Sequence, residues 1–173
     1  MSNTSASSSP SWPAQAGLRI GGARVARQWT DHNGHMNLAS YLFLFDRCFA
    51  RFCDRAGIGP KQISKTGRSI FVAETHLVYQ RELSMGEPVD VGLRVLELGA
   101  RKMRTYMTML HRDSGELVCV NEKLDICVDM TTRNATTFPE NVRQLLDRLH
   151  AREGDLPPPE FAARRVQMLS HQN

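Results

Sequence analysis

Between Leu38 and Ala56 the apolar side chains Leu38, Tyr41, Leu42, Phe45, Phe49 and Phe52 recur at three-to-four spacing, the repeat that gathers them on one side of an α-helix. Asn37 in front is a good N-cap, and Gly57 behind is a stop. At about 1.5 Å per residue this helix spans close to 30 Å, the width of a small domain. Phe43 and Leu44 widen its apolar face, so the helix is expected to be largely wrapped. Its exposed strip would carry Arg47, Arg51 and Arg55 with Asp46 and Asp54.

The flanking sequence supplies strands to wrap it. Leu18 to Trp29 contains Ile20, Val25 and Trp29 and reads as a strand weakened by Gly21-Gly22. After Arg68 four more strand-like runs follow, Ser69 to Ser84, Val89 to Leu98, Lys102 to Arg112 and Glu116 to Met130. The links Met85-Gly86-Glu87-Pro88, Gly99-Ala100-Arg101 and Asp113-Ser114-Gly115 are short, which predicts that the four form an antiparallel meander. A last helix, Glu140 to His150, starts after Pro139. The expected class is α+β: a five-stranded antiparallel sheet curled around one long helix, with an additional C-terminal helix.

A chain of 173 residues with 41% hydrophobic and 23% charged residues fits one domain with its own core. The expected body is 17–150. Residues 1–16 hold six Ser, two Pro and no charge and are expected to be disordered; 151–173, broken by Pro157-Pro158-Pro159, reads as an extension. No run reaches the roughly 18 apolar residues of a membrane span, and the start lacks a signal-peptide pattern, so a cytoplasmic location and no membrane partner are expected. Cys48, Cys53, Cys119 and Cys127 show no metal-ligand spacing and read as buried free thiols. A net charge of +4 and a pI of about 9.1 suit an anionic partner, nucleic acid or a phosphorylated cofactor such as coenzyme A. Nucleic acid ranks far lower, because no matching motif accompanies the modest charge.

The turn before the long helix reads Asp31-His32-Asn33-Gly34-His35-Met36-Asn37, followed by Tyr41 and Phe45-Asp46. This run resembles the strand-to-helix signature of hot-dog fold acyl-CoA thioesterases of the 4-hydroxybenzoyl-CoA thioesterase type. Glu74-Thr75-His76, Tyr79-Gln80-Arg81-Glu82-Leu83, Gly86-Glu87-Pro88, Asn121-Glu122, Val128-Asp129 and Phe138-Pro139 are similar to the betainyl-CoA thioesterase branch. The resemblance covers residues 18–150 and implies a hydrolase for a small acyl-CoA, with betainyl-CoA of carnitine catabolism as one substrate. A medium- or long-chain or aromatic acyl-CoA thioesterase, or a non-catalytic acyl-CoA-binding protein, are the alternatives. It also implies a homodimer or tetramer whose sites draw on two chains. Coenzyme A would enter only as part of the substrate, with no separate cofactor. By similarity Asp31 is the catalytic carboxylate and the Leu38 backbone N–H the oxyanion donor. Trp29 stands where some relatives carry a second acid, so Asp31 acts alone or with a group from elsewhere.

Chemistry agrees with that assignment. Thioester hydrolysis needs a nucleophile or base beside the carbonyl carbon and a donor facing the oxygen that gains charge. A turn carboxylate next to the unpaired N–H groups of a helix start offers both. The bland readings are an Asx turn from Asp31 to Asn33, simple capping by Asn37, and loop hydrogen bonding by His35. His32, His35 and Asp31 are too slight a set for a metal, and none is expected.

Strict alternation puts Ile70, Val72, Glu74, His76 and Val78 on one strand face, and Val118, Val120, Glu122, Leu124, Ile126 and Val128 on another. An acid on a buried face must be paired, protonated or facing a cavity. Glu122 is therefore either paired, with His76 or an Arg, or lines an acyl pocket with Glu74 and an aromatic, Tyr41 or Tyr106, facing a trimethylammonium group. The expected substrate contacts are thus Asn37, His35, Tyr41, Glu74, His76 and Glu122. Arg101, Lys102 and Arg104 are the candidates for the phosphates of coenzyme A.

Overall fold

The computed structural model describes residues 10–164. Five strands, β1 (Leu18–Arg24), β2 (Arg68–Tyr79), β3 (Pro88–Leu98), β4 (Lys102–His111) and β5 (Leu117–Asp129), form one sheet in the order β1-β3-β4-β5-β2 with every pair antiparallel. Helix α1 (Leu38–Ala56) packs on one face, a short α2 (Ile63–Thr66) leads into β2, and α3 (Glu140–Ala151) lies against β3. Among the described residues no helix is long and apolar enough to cross a membrane.

The N-cap and stop of α1 are as expected. Asn37 Oδ1 accepts the Ala39 N–H at 2.9 Å, and Gly57, at φ 93°, donates back to the last turn, a conformation that favours glycine. Tyr41, Leu44, Phe45, Cys48, Phe49, Phe52, Cys53 and Ala56 are buried against Val89, Val91, Leu93, Val95, Met103, Met107 and Met109. Gly21 serves this packing, because a Cβ there would sit 2.8 Å from Cys48 Sγ. The helix is less wrapped than its periodicity suggests: Leu38, Leu42 and Phe43 are exposed.

Three expectations about the sheet change. The first strand stops at Arg24, and a 3-10 turn over Arg27–Trp29 carries the chain to the Asp31 turn. Only β3, β4 and β5 form a meander; β2 lies on the far edge beside β5, since the link after Tyr79 is no hairpin but an anchored segment. Gln80 and Arg81 donate to Val118 O, Leu83 O accepts the Met36 N–H, and the Leu83 side chain is fully buried. A bulge between Val72 and Glu74 then breaks the strict alternation of β2: Ile70 and Val72 pair opposite Cys127 and Asp125, whereas Glu74, His76 and Val78 pair opposite Leu124, Glu122 and Val120.

The expected domain limits also move. Residues 1–9 and 165–173 lie outside the described residues, but 10–16 and 151–164 pack on the sheet face opposite α1. Trp12 Nε1–H donates to Gly17 O at 2.8 Å, Ala16 is buried, and Arg94, itself buried, binds Glu153 at 2.6 Å and Gln15 O at 3.4 Å. That buried arginine clasps both segments to β3, so the packed unit extends beyond 17–150.

The helix-facing row of β5 is polar. Asn121, Lys123 and Asp125 are buried with Cys119 and Cys127, while Glu122 belongs to the opposite row. Lys123 Nζ lies 3.0 Å from Asp125 Oδ1 and 3.4 Å from the Phe49 ring centroid; Thr105 donates to Asp125 Oδ2 at 2.8 Å, and Thr75 to Asn121 Oδ1 at 2.7 Å. Pairing makes this burial tolerable. All four cysteines are buried and free.

Candidate active site

The turn ahead of α1 is held by backbone pairing. Asp31 N–H donates to His35 O at 2.9 Å, Thr30 bridges Met36, and Asn37 N–H donates to Trp29 O at 2.8 Å, which folds Asp31 back beside the start of the helix. Asp31 Oδ1 accepts the Asn33 N–H at 2.8 Å. This is the Asx turn that sequence allows, and it orients the carboxylate while leaving Oδ2 without a protein donor among the described residues. The Leu38 N–H, in the first turn, has no intrahelical acceptor, and no other acceptor takes it among the described residues; Leu38 is 67% exposed. The turn thus sets a partly buried carboxylate ahead of a free N–H at the positive end of a 19-residue helix.

The link after β2 forms the wall. His35 Nδ1 lies 3.2 Å from Glu82, and His35 bridges Ser84. Tyr41, buried on α1, donates to Arg81 O at 3.4 Å; Tyr79, at the end of β2, donates to Leu38 O at 3.2 Å. The two rings meet edge to face at 5.3 Å. Burial pushes the Tyr41 hydroxyl up to about 12, helped by neighbouring Cys119, and raises Tyr79 in the same direction, so both stay neutral phenols. Met36, Leu38, Tyr41, Tyr79, Gln80, Arg81 and Glu82 line an open depression of about 300 Å³.

Of the expected site residues, Asp31, His35, Asn37, Leu38 and Tyr41 are brought together here. Glu74, His76 and Glu122 gather elsewhere, on the sheet face away from α1, in a depression shared with Arg104 and Ala163. Glu122 is paired: its Oε1 lies 2.6 Å from Arg104 Nη1, and its Oε2 accepts the Ala163 N–H at 2.6 Å. Tyr106 is on that face too, opposite Glu122. An acyl pocket combining these acids with Tyr41 within one chain is therefore ruled out. Arg104 is also bound to Glu97 at 2.6 Å, so its charge is spent internally. Arg101 and Lys102 are exposed, but β3 separates their turn from the Asp31 end of the sheet by roughly 35 Å. Sequence reading passed over Tyr79 and Glu82 as site residues. Both lie inside the expected strand Ser69 to Ser84, whereas β2 ends at Tyr79, so the sequence carried no signal that a strand end meets a helix start there. Among the described residues, no three His, Cys, Asp or Glu side chains gather as a metal site.

Residues 25–146 match the family model of the Thioesterase-like superfamily. A betainyl-CoA thioesterase of Pseudomonas aeruginosa is 24% identical over 140 residues, 81% of this chain and 88% of that protein. An L-carnitine dehydrogenase/betainyl-CoA thioesterase of Agrobacterium fabrum is 29% identical over 141 residues, and there the match spans only 29% of the relative's length. In fold, a Staphylococcus aureus protein solved in complex with CoA superposes with a TM-score of 0.78 at 23% identity, covering 88% of this chain and 98% of that one. A 1,4-dihydroxy-2-naphthoyl-CoA thioesterase of Synechocystis gives 0.66 at 13% identity, covering 74% and 94%. The helix wrapped by a β1-β3-β4-β5-β2 sheet is thus the hot-dog fold, and the chain belongs to the Thioesterase-like superfamily.

Proposed function

We propose that this chain hydrolyses a short acyl-CoA thioester, betainyl-CoA, to the free acid and coenzyme A. The observation that carries the reading is the turn that sets Asp31, with one carboxylate oxygen free, just ahead of the unpaired Leu38 N–H at the start of α1. The thioester oxygen accepts that N–H, and the helix dipole stabilises the charge it gains in the transition state. Asp31 then either attacks the carbonyl carbon, expelling the thiolate and leaving an anhydride that water opens, or takes a proton from the water that attacks directly and gives it up to the thiolate expelled as the C–S bond breaks. Both routes return the carboxylate. The names of the relatives favour betainyl as the acyl group.

The reading includes a homodimer. β2 is a 12-residue edge strand carrying exposed Phe71 and Val72, and Leu38, Leu42, Phe43, Tyr79 and Met85 are exposed nearby or on α1; a long apolar edge calls for a partner. Two-fold pairing of β2 with its copy would bring the second chain's Arg101 end, which adjoins Ile70 through Cys127, toward the Tyr79 end of the first. Arg101 and Lys102 could then meet the phosphates of coenzyme A from the neighbouring chain. The face opposite α1 is covered by the terminal segments, which favours the dimer over a tetramer built through that face.

Thiol release from betainyl-, acetyl-, octanoyl- and benzoyl-CoA tests the activity, and sedimentation the assembly. Turnover led by betainyl-CoA in a dimer is expected. Preference for a longer or aromatic acyl group would overturn the substrate, and tight binding of every ester without turnover would make the protein a non-catalytic binder.

A further inference from the structure

Beside the free Leu38 N–H stand two fixed aromatic rings and one acid that no step of the hydrolysis uses. Tyr79 is 45% exposed and the Glu82 side chain 76% exposed, and both open onto the same depression as Leu38. Each tyrosine ring is tethered by its hydroxyl, Tyr79 to Leu38 O and Tyr41 to Arg81 O, so the rings are held without help from a ligand. Resting on the thioesterase reading, we propose that Tyr79 and Glu82, with Tyr41 behind them, form the subsite that selects a quaternary ammonium acyl group.

Reach supports the placement. In a betainyl ester one methylene separates the carbonyl carbon from the cationic nitrogen, a distance of about 2.5 Å. With the carbonyl oxygen on the Leu38 N–H, the cation therefore lies close to Leu38, the residue to which the Tyr79 ring is tied. A cation within about 6 Å of an aromatic face is attracted to it. A longer acyl chain would carry its terminus past this spot.

The charge balance agrees. Glu82 is the acid that lines the depression. The cation that also lines it, Arg81, is turned to Glu87 at 2.7 Å and Glu116 at 3.4 Å, so two carboxylates offset its charge. His35 rests on Glu82 at 3.2 Å and is the neighbouring group that shares that acid.

The test uses a neutral isostere. In 3,3-dimethylbutanoyl-CoA a quaternary carbon replaces the quaternary nitrogen, and shape is otherwise kept. The ratio of kcat/KM for betainyl-CoA to that for the isostere should fall roughly 10-fold in Tyr79→Leu and several-fold in Glu82→Gln. Tyr79→Phe, which keeps the ring, should retain most of it, and Glu122→Gln, on the other sheet face, should leave the ratio in place. Thermal unfolding checks that each variant folds. An unchanged ratio in both Tyr79→Leu and Glu82→Gln, with both esters still hydrolysed, would overturn the subsite while leaving the thioesterase intact. A wild type that turns over neither ester would overturn the substrate reading and the subsite together.

Discussion

Asn37 does two things at one atom. Its Oδ1 satisfies the Ala39 N–H and so fixes the first turn of α1, and that turn carries the free Leu38 N–H. Asn37→Ala should cost about 1 kcal/mol of stability, read as a lower urea midpoint, and should lower kcat beyond what the remaining folded fraction explains. A midpoint shift with unchanged kcat would confine Asn37 to capping. The Asp31 turn and the caps of α1 were legible in the sequence because each depends on a few adjacent residues. Tyr79 and Glu82 were not, because their proximity to Leu38 is created by β2 and the link after it, some forty residues downstream.

At the scale of elements, α1, β3, β4, β5 and α3 lie within a residue or two of where their periodicities put them. What the patterns missed was facing. In β5 the apolar alternation Val118 to Val128 suggested a core row, yet the helix meets Asn121, Lys123 and Asp125 instead. Hydrophobicity could not reveal this, since both faces are covered, one by α1 and the other by the terminal segments. In β2 one bulge moved Glu74 and His76 to the outer face, and no local residue choice announces a bulge. The buried pair carries a sharp expectation. Lys123 and Asp125 are 4% and 0% exposed, so Lys123→Met strands a buried carboxylate and should destabilise the fold by about 3–5 kcal/mol. Replacing both, as Lys123→Met with Asp125→Leu, should recover much of that loss. Equal destabilisation in the single and double variants, measured by urea unfolding, would show that the pair contributes little through its charge.

For the whole molecule, the sheet order could not be read from the strands, because a short connection after β2 looked like a hairpin and is an anchored crossover. Glu87 is part of that anchor. Burial alone would raise its carboxyl, but the Ser84 N–H and Arg81 outweigh burial and hold it below its ordinary value of 4.5. A carboxyl lowered in the folded state adds stability that is present above its unfolded value and lost as pH falls through the lowered one. Asp129 and Asp147 are shifted the same way by the Thr132 N–H and by Arg143. Urea midpoints should therefore hold steady from pH 7 to 5 and fall below about 4.5. Glu87→Gln should be less stable at pH 7 and show a shallower acid decline; an identical acid profile would remove Glu87 from the anchor.

The proposed chemistry converges on one carboxylate. Asp31 is partly buried and tied only by its own turn, and its removal leaves the α1 core, the sheet and both caps untouched. The most direct test is single-substrate turnover of wild type and Asp31→Ala on betainyl-CoA, with thermal unfolding of both. The expected result is a kcat lowered roughly 10²- to 10⁴-fold in a protein that unfolds at nearly the wild-type temperature. An Asp31→Ala protein that keeps wild-type kcat would contradict the assignment of the catalytic carboxylate.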